Sequence, residues 1–365
     1  ACAESREKPT TLQHKEAAMR YAKFGNTDMM VSEIALGTWG IGGAGWDDNS
    51  EETRLDAIRS AVESGINFID TAPAYNGGMA EAYVGRVISA MGIRKDVYLV
   101  TKCGTEFVDG KYVRSCAADT ILRECDRSLQ NLQTDYIDLY MIHWPDASVP
   151  VEETMDALKT LKQQGKILHV GVSNFNRQQI EEANRFCPIE AYQPQYSMVF
   201  QGNEPQMRWA AEQGMGVMAY GALGAGILTG AYRKRPKFPP TDNRSRFYKH
   251  FREPAFSRIM KLVDLMDIIS DAHGGVPLAQ IAINWAVQKE FVTSSIVGVQ
   301  HRERVLQNCD SFDWSLTPEE NAILDSAIRY YLKKSSFSRT FFIYYLSILV
   351  TIPAPTVLPP SRIEN

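Results

Sequence analysis

The chain has 365 residues, of which 44% are hydrophobic and 10% aromatic, and its formal net charge is −4. This composition can fill a sizeable core and argues against general disorder. The slight negative charge and the lack of a basic face argue against a nucleic-acid partner. The six cysteines form no C-x-x-C pair and H-E-x-x-H is absent, so we predict no metal site. Scattered cysteines are typical of reduced thiols in a cytoplasmic protein.

Both ends of the chain differ from the region between them. Residues 1–18 are polar and lack the apolar core of a signal peptide, so we expect a flexible extension. Residues 341–352 are apolar-rich, but this run is shorter than the roughly 20 residues of a membrane helix. We therefore expect no transmembrane segment. The tail at 333–365 either packs on the body, stays mobile or lies on a membrane surface.

The region from 19 to 332 opens with residues 21–32, which predict a small β-hairpin with a polar turn. Eight short runs rich in Val, Ile and Tyr then alternate with helical patterns. Each run is too apolar for a strand with one solvated face and is typical of a strand buried on both faces. These runs are 34–39, 66–72, 97–102, 137–144, 169–174, 191–197, 216–223 and 294–299.

The segments between the runs carry helix signals. Asn49 or Ser50 can cap a helix that ends at Gly65, and a second pattern at 151–164 ends at Gly165. Eight strand–helix units predict an α/β protein, a (β/α)8 TIM barrel in one domain, with the hairpin plugging the barrel bottom. An open doubly wound sheet is the alternative. The long basic loop at 232–254 is expected to be functional.

Polar side chains close six of the apolar runs. In a barrel, chemistry collects at these carboxyl ends of the strands. Each residue alone has a structural explanation: a turn residue, a solvated lysine or a core histidine. Their regular recurrence instead predicts one functional site. The six residues are Asp70, Lys102, His143, Asn174, Gln193 and Tyr220.

Longer phrases of the sequence resemble the aldo-keto reductase family, in its order and spacing over roughly 20–330. Phrases such as GTWGIGG and HWPD are most similar to the bacterial branch that includes general stress protein reductases. The resemblance implies a (β/α)8 barrel that binds a nicotinamide dinucleotide without a Rossmann domain. The phrases that carry it are DTAPAYNGG (70–78), VTK (100–102), DYIDLYMIHWPD (135–146), GKILHVGVSNF (165–175), QPQYS (193–197), YGALGAGILTG (220–230) and SSIVGVQHRERVLQN (294–308).

The resemblance assigns four catalytic roles. Tyr75 is the expected general acid, and Lys102 is expected to lower the pKa of its phenol. Asp70 pairs with Lys102 and holds it in place. His143 orients the substrate carbonyl and helps the proton to move. Because Asp70 and Tyr75 are five residues apart, one strand end and its loop can bring both into one site.

The resemblance also assigns the cofactor contacts. Arg304 suits the 2′-phosphate of NADP because a guanidinium matches phosphate oxygens, so NADPH/NADP+ is the expected cofactor. Arg302 is a second candidate. Gly298 and Gln307 stand where many relatives carry lysine and glutamate. The expected cofactor-binding residues are Thr38, Trp39, Asp70, Ser173, Asn174, Gln193, Tyr220, Gly221, Leu223, Gly226, Gly298, Gln300, Arg304, Gln307 and Asn308.

The glycines of Gly40–Gly45 match G-x-G-x-x-G, the Rossmann phosphate-loop fingerprint, and follow a strand-like run. A Rossmann loop leads directly into a helix whose N-terminus binds pyrophosphate. Here Asp47, Asp48, Glu51 and Glu52 precede or open the next helix and would repel phosphate. We therefore interpret the glycines as a loop beside the active-site mouth.

The predicted function is NADPH-dependent reduction of aldehyde or ketone carbonyls to alcohols. Trp39, Trp46, Tyr112 and Trp144 suggest a partly aromatic substrate pocket. One alternative is an NADP(H)-binding redox sensor with little turnover, as in the potassium-channel β subunits of the family. Another is an unrelated barrel enzyme that uses Asp70 and Lys102 for aldol or Schiff-base chemistry.

Overall fold

The computed structural model describes residues 19–43, 45–46, 49–108 and 111–332. The expected extension at 1–18, the tail at 333–365, and Asp47 and Asp48 lie outside the described residues. In chain order the strands are β1 (Tyr21–Lys23), β2 (Met30–Ser32), β3 (Ile34–Gly37), β4 (Phe68–Asp70), β5 (Tyr98–Cys103), β6 (Thr105–Val108), β7 (Lys111–Arg114), β8 (Ile137–Ile142), β9 (Ile167–Ser173), β10 (Ala191–Gln193), β11 (Gly216–Tyr220) and β12 (Ser294–Gly298).

The α-helices lie between and after these strands. They are α1 (Trp39–Gly42), α2 (Glu51–Glu63), α3 (Met79–Met91), α4 (Ala118–Leu132), α5 (Val151–Gln163), α6 (Arg177–Ala183), α7 (Glu204–Glu212), α8 (Asn243–Phe247), α9 (Ala255–Ala272), α10 (Leu278–Val287), α11 (Arg302–Cys309) and α12 (Pro318–Tyr331). Short 3-10 turns occupy Arg94–Asp96, Gly224–Thr229, Lys249–Phe251 and Asp310–Asp313.

Eight parallel strands close into a barrel in the order β10-β11-β12-β3-β4-β5-β8-β9. These strands correspond to the eight apolar runs of the sequence, so the predicted (β/α)8 TIM barrel is confirmed. The expected helix signals also hold, because Ser50 caps α2 by accepting a hydrogen bond from the Thr53 N–H at 3.2 Å. Gly65 follows α2 with a φ of 89°, a left-handed conformation that favours glycine.

The hairpin β1–β2 closes the N-terminal end of the barrel, as predicted. Phe24 is fully buried in its turn and meets the Phe68 ring edge-to-face, with ring centroids 5.1 Å apart. Gly216 lets this ring approach, since a Cβ at that position would lie 2.5 Å from it. Met29 and Val31 join the same interior cluster of apolar side chains. The plug therefore leaves the opposite, C-terminal end as the mouth of the barrel.

The sequence analysis did not predict the structure of two insertions at the mouth. The antiparallel hairpin β6–β7 is inserted between β5 and α4. The basic loop after β11 contains α8, and Phe247 of α8 reaches across to the Trp39 ring, with centroids 5.9 Å apart. Both insertions border the carboxyl ends of the strands. Within the described residues, no helix is both long and apolar enough to cross a membrane.

Candidate active site

Asp70, Tyr75, Lys102 and His143 meet at the mouth of the barrel. Asp70 ends β4, Lys102 lies near the end of β5, and His143 directly follows β8. Tyr75 comes from the loop after β4. The structure thus brings together all four residues that the sequence places at or beside strand ends.

Lys102 is the centre of this group. Its side chain is fully buried, and its Nζ donates to Asp70 Oδ1 and Oδ2 at 2.9 and 2.8 Å. The same nitrogen donates to the Thr71 carbonyl at 2.8 Å and to the Tyr75 hydroxyl oxygen at 3.2 Å. Lys102 therefore connects a buried carboxylate to the tyrosine hydroxyl.

The ion pair lies where water is excluded. Burial raises the pKa of Asp70, whereas Lys102 and a hydrogen bond from Gln193 act to lower that pKa. Burial likewise lowers the pKa of Lys102, whereas Asp70 acts to raise it. Each partner thus depends on the other to remain charged.

Tyr75 differs from the expectation in one respect. Burial raises its pKa well above the usual value, and the charge of Asp70 adds to this effect. The expected lowering by Lys102 is therefore wrong for the protein without ligands. The physical reason is that burial disfavours the phenolate, and the negative charge of Asp70 disfavours it further. The hydroxyl of Tyr75 stays protonated at neutral pH.

His143 faces the Tyr75 ring edge-on, with ring centroids 6.0 Å apart. Burial, followed by the charges of Lys102 and Arg114, lowers the pKa of His143 well below its usual value. The imidazole is therefore neutral near pH 7. Its Nδ1 atom is buried and accepts or donates no hydrogen bond among the described residues.

A second polar cluster lies beside the ion pair. Gln193 Nε2 donates to Asp70 Oδ2 at 2.7 Å, and the Gln193 carbonyl accepts from Ser173 Oγ at 2.8 Å. Asn174 donates to Ser173 Oγ and accepts from the Tyr220 hydroxyl at 2.9 Å. Asn174 has a φ of 62°, which asparagine tolerates better than most residues. The cluster offers amide and hydroxyl groups next to Asp70.

Thr38 anchors the first strand end to this cluster. Its hydroxyl donates to the Asp70 carbonyl at 2.9 Å, and its backbone N–H donates to the same oxygen at 3.1 Å. Trp39 follows at the start of α1 and stacks near Tyr75, with ring centroids 6.2 Å apart. Thr38 is buried and therefore positions Asp70, whereas Trp39 forms a wall beside the tyrosine.

Gly221, Leu223 and Gly226 lie in the loop that follows β11. Gly221 and Gly226 have φ values of 83° and 92°, so the chain turns here in conformations that favour glycine. A Cβ at either position would meet its nearest neighbour only at 3.4 to 3.6 Å, an ordinary contact. Backbone conformation rather than tight packing therefore requires these glycines, and this part of the loop has room for a ligand.

The remaining expected cofactor residues lie around α11. Gly298 ends β12, and Gln300 follows it with its Nε2 buried and unpaired among the described residues. Arg304 is exposed and donates to Gln307 Oε1 at 2.7 Å. Asn308 is buried on the same helix. The structure therefore places all five residues within one strand end and the helix that follows it.

Arg302 points away from this group. Its Nη1 donates to Ser60 Oγ at 2.8 Å and lies 3.6 Å from a Glu63 carboxylate oxygen. It also lies 3.8 Å from Asp56. These contacts hold Arg302 against α2, so the expectation that it is a second phosphate ligand is not supported.

Aromatic side chains line the rim. Trp39 also meets Trp46 edge-on, with centroids 5.1 Å apart, and Phe247 meets Tyr112 of β7 at 6.4 Å. Trp144 follows His143 and packs under Arg114. The aromatic residues named from the sequence thus lie at the mouth. Phe247 and Arg114 were missed, although the Asp-Gly pair at 109–110 of the sequence is a hairpin signal.

The Gly40–Gly45 stretch does not form a Rossmann phosphate loop. The single turn of α1 occupies its first residues, and the Ile41 carbonyl accepts from Arg54 Nη1 at 2.6 Å. The Arg54 guanidinium fills the space that a Cβ on Gly43 would need. A separate helix, α2, starts later with its own serine cap. The described residues of this stretch therefore form a short helical turn and its exit beside the mouth, rather than the expected loop.

Comparison with known proteins agrees with the fold. The sequence profile of the Aldo/keto reductase family matches residues 33–329. The chain belongs to the aldo/keto reductase family. Members of this family are oxidoreductases that reduce carbonyl groups of small molecules with nicotinamide cofactors. Among the described residues, no cluster of potential metal ligands is found.

Three relatives illustrate the range of the similarity. The chain is 33% identical to the aldo-keto reductase YhdN of Bacillus subtilis, over 85% of this chain and 95% of that protein. It is 29% identical to the NADH-specific methylglyoxal reductase of Escherichia coli, over 84% and 97%. The structure of the glycerol dehydrogenase AKR11B4 from Gluconobacter oxydans superposes with a TM-score of 0.78, at 31% identity over 90% and 99%.

Proposed function

We propose that this enzyme reduces aldehyde or ketone groups with NADPH, and that Tyr75 donates the proton to the carbonyl oxygen. The observation that carries this proposal is the contact of Lys102 Nζ with both the Asp70 carboxylate and the Tyr75 hydroxyl. The protonated state of Tyr75 near neutral pH is what a proton donor requires.

The described residues fit a nicotinamide dinucleotide. The amide and hydroxyl groups of Ser173, Asn174 and Gln193 can bind a carboxamide next to Asp70, and the Tyr220 ring lies beside them. The open glycine faces of the loop after β11 leave room for a diphosphate. When bound, the reduced nicotinamide supplies a hydride to the carbonyl carbon.

The chain's own residues manage the proton. Neutral His143 and the Tyr75 hydroxyl orient the carbonyl oxygen, and Tyr75 then gives its proton to that oxygen. Lys102 keeps its N–H directed at the Tyr75 oxygen, so it stabilises the negative charge that develops there. Asp70 keeps Lys102 in position and charged. The product is the alcohol, and Tyr75 regains a proton from solvent.

Preference for NADPH over NADH rests on Arg304. Its guanidinium is exposed on α11, close to Gln307 rather than to a carboxylate, so it can turn towards a phosphate. The Escherichia coli relative is described as NADH-specific, so the preference must be measured for this chain.

The test follows NADPH absorbance with a panel of aldehydes and ketones, with wild type beside Tyr75→Phe. We expect turnover to fall by about 10²-fold or more in the variant, with NADPH binding retained. Tyr136→Phe is the matched control, because Tyr136 precedes β8 at the other end of the barrel and packs on Arg94. Binding without turnover of any carbonyl by wild type would contradict the proposal, as would full activity of Tyr75→Phe.

A further inference from the structure

Arg114 is the last residue of β7, in the hairpin inserted after the strand that carries Lys102. Its register partner is Thr105, which lies three residues after Lys102. The guanidinium carbon lies 4.9 Å from the centre of the Trp144 ring, and Trp144 directly follows His143. The hairpin therefore carries a cation to the rim next to His143.

The guanidinium of Arg114 has no ion pair or hydrogen bond within the described part of the chain. Two other arginines at the mouth, Arg244 and Arg54, are engaged by protein groups. Arg244 contacts the Asp242 carboxylate at 2.6 Å and donates to the Tyr232 hydroxyl at 2.6 Å. Arg54 donates to backbone carbonyls. The contact with the Trp144 ring holds Arg114 at the rim, and its N–H groups remain available to an anion.

Hydrogen bonds from Ser148 and Cys116 lower the pKa of the nearby Asp146 carboxylate, and the charge of Arg114 adds a smaller effect. Its oxygens accept from the Cys116 N–H at 3.0 Å and from the Ser148 N–H and hydroxyl at 2.9 and 2.6 Å. These bonds fix Asp146 in its turn. Burial is the main cause of the lowered pKa of His143, and the positive charges of Lys102 and Arg114 lower that pKa further. The cation therefore acts on the reacting end of the pocket.

We propose that Arg114 binds an anionic group of the substrate, so that the enzyme prefers carbonyl compounds that carry a carboxylate or a phosphate. This inference rests on the proposed carbonyl reduction and adds the class of substrate. The carbonyl oxygen lies at Tyr75 and His143, and the anionic group lies at the hairpin. The rings of Tyr112 and Phe247, 6.4 Å apart, cover the apolar part between them.

The experiment compares two substrates of nearly equal shape, 4-formylbenzoate and 4-formylbenzamide, in wild type, Arg114→Gln and Arg114→Lys. For wild type we expect kcat/KM to be about tenfold or more higher for the carboxylate, mainly through KM. Arg114→Gln should remove this preference by lowering kcat/KM for the carboxylate towards the value for the amide. Arg114→Lys should retain part of it, because a lysine keeps the charge without the bidentate edge. A third substrate, 4-formylphenyl phosphate, distinguishes a phosphate from a carboxylate preference.

Arg246→Gln is the matched control. Arg246 is exposed on α8 and lies over the neighbouring Phe247 ring at 5.7 Å, without contact to Trp144. We expect this variant to keep the wild-type preference. Equal rates for the anionic and neutral aldehydes in wild type would overturn the inference about Arg114 while leaving the reductase proposal intact. Loss of the preference in Arg246→Gln alone would also overturn it.

A binding measurement keeps the inference separate from turnover. The wild-type protein with NADP+ is titrated with 4-(hydroxymethyl)benzoate or its amide, and tryptophan fluorescence reports binding. Tighter binding of the carboxylate, lost in Arg114→Gln, supports the anion site even if neither aldehyde is reduced. Absence of reduction of both aldehydes contradicts the proposed function. Equal affinity for the carboxylate and the amide contradicts the anion site.

Discussion

The ammonium nitrogen of Lys102 lies 3.2 Å from the hydroxyl oxygen of Tyr75, and the lysine side chain is fully buried. We expect Lys102→Met to lower kcat by about 10²-fold to 10⁴-fold, because the developing phenolate loses its cation. Steady-state rates at saturating NADPH measure this loss. A variant with kcat close to wild type would contradict the role of Lys102.

The same substitution should destabilise the fold, because it leaves the Asp70 carboxylate buried without its cation. Breaking a buried pair costs about 3–5 kcal/mol. The double variant Asp70→Asn/Lys102→Met should recover part of that loss in urea unfolding. Arg177→Met is the control, because Arg177 and Glu181 form an exposed pair at 2.8 Å that contributes about 1 kcal/mol or less.

His143 should remain neutral across the physiological pH range. Because the folded pKa is lowered well below 6.5, kcat/KM for a neutral aldehyde should show no inflection near pH 6.5. The free energy of unfolding, unlike kcat/KM, should change in this range. The imidazole of the unfolded chain gains a proton below about pH 6.5, so the folded state loses stability as pH falls further. An inflection near pH 6.5 that disappears in His143→Gln would contradict this prediction.

The sequence predicts the barrel and the group around Lys102 because both depend on local patterns. Buried parallel strands are continuously apolar, so Asp70 and Lys102 stand out where their strands end. The pKa of Tyr75 could not be predicted in the same way. It depends on how much water the folded mouth excludes and on how close the Asp70 carboxylate comes, which only three-dimensional packing determines.

The insertions at the mouth were also harder to predict. Arg114 belongs to a short hairpin whose alternating residues suggest an exposed ribbon. This pattern does not show that the Arg114 side chain packs on Trp144. Phe247 comes from a loop 208 residues later in the chain than Trp39, and a contact over such a separation leaves no periodic signal. The residues that these insertions bring to the mouth could therefore be identified only from the structure.

Cofactor preference can be tested at Arg304. We expect Arg304→Ala to weaken NADPH binding by about 10-fold to 100-fold and NADH binding much less, because a 2′-phosphate loses a charged hydrogen-bond donor. Arg302→Gln is the matched control, since the Arg302 guanidinium donates a hydrogen bond to Ser60 on α2. Fluorescence titration with both cofactors measures the effect. An equal loss for NADPH and NADH would contradict the assignment.

A charged cluster at the bottom of the barrel gives a pH prediction independent of catalysis. Glu190 accepts from Lys162 at 2.8 Å and contacts His169 at 2.9 Å. Despite partial burial, its hydrogen bonds lower the pKa of Glu190 to about 2. Its contribution is present above the unfolded pKa of about 4.5 and is lost as pH falls towards 2. Because Glu190 is partly exposed, we expect its contribution to the free energy of unfolding to be about 1–2 kcal/mol.

The contribution of His169 to stability depends on pH in the opposite direction to that of Glu190. Burial opposes its charge, but hydrogen bonds to Glu190 and Asp28 prevail and raise the pKa of His169. Its contribution is therefore full below about pH 6.5 and is lost as pH rises through the folded pKa. Urea unfolding of wild type and Glu190→Gln between pH 3 and pH 9 tests both residues. The difference between the two proteins should be greatest between about pH 4.5 and 6.5, and a constant difference would contradict this coupling.

The hairpin plug should stabilise the barrel through Phe24. This side chain is fully buried against Phe68 and lies over the backbone of Gly216, so Phe24→Ala removes a ring from a closed interior. We expect a loss of about 3–5 kcal/mol in the free energy of unfolding, measured in urea. Met30→Ala in the same hairpin is the control, because Met30 is 48% exposed and should change stability by about 0.5 kcal/mol or less. Folded Phe24→Ala should keep its kcat, since the plug lies at the end of the barrel opposite Tyr75. Loss of kcat without loss of stability would show that the plug acts on the site rather than on the fold.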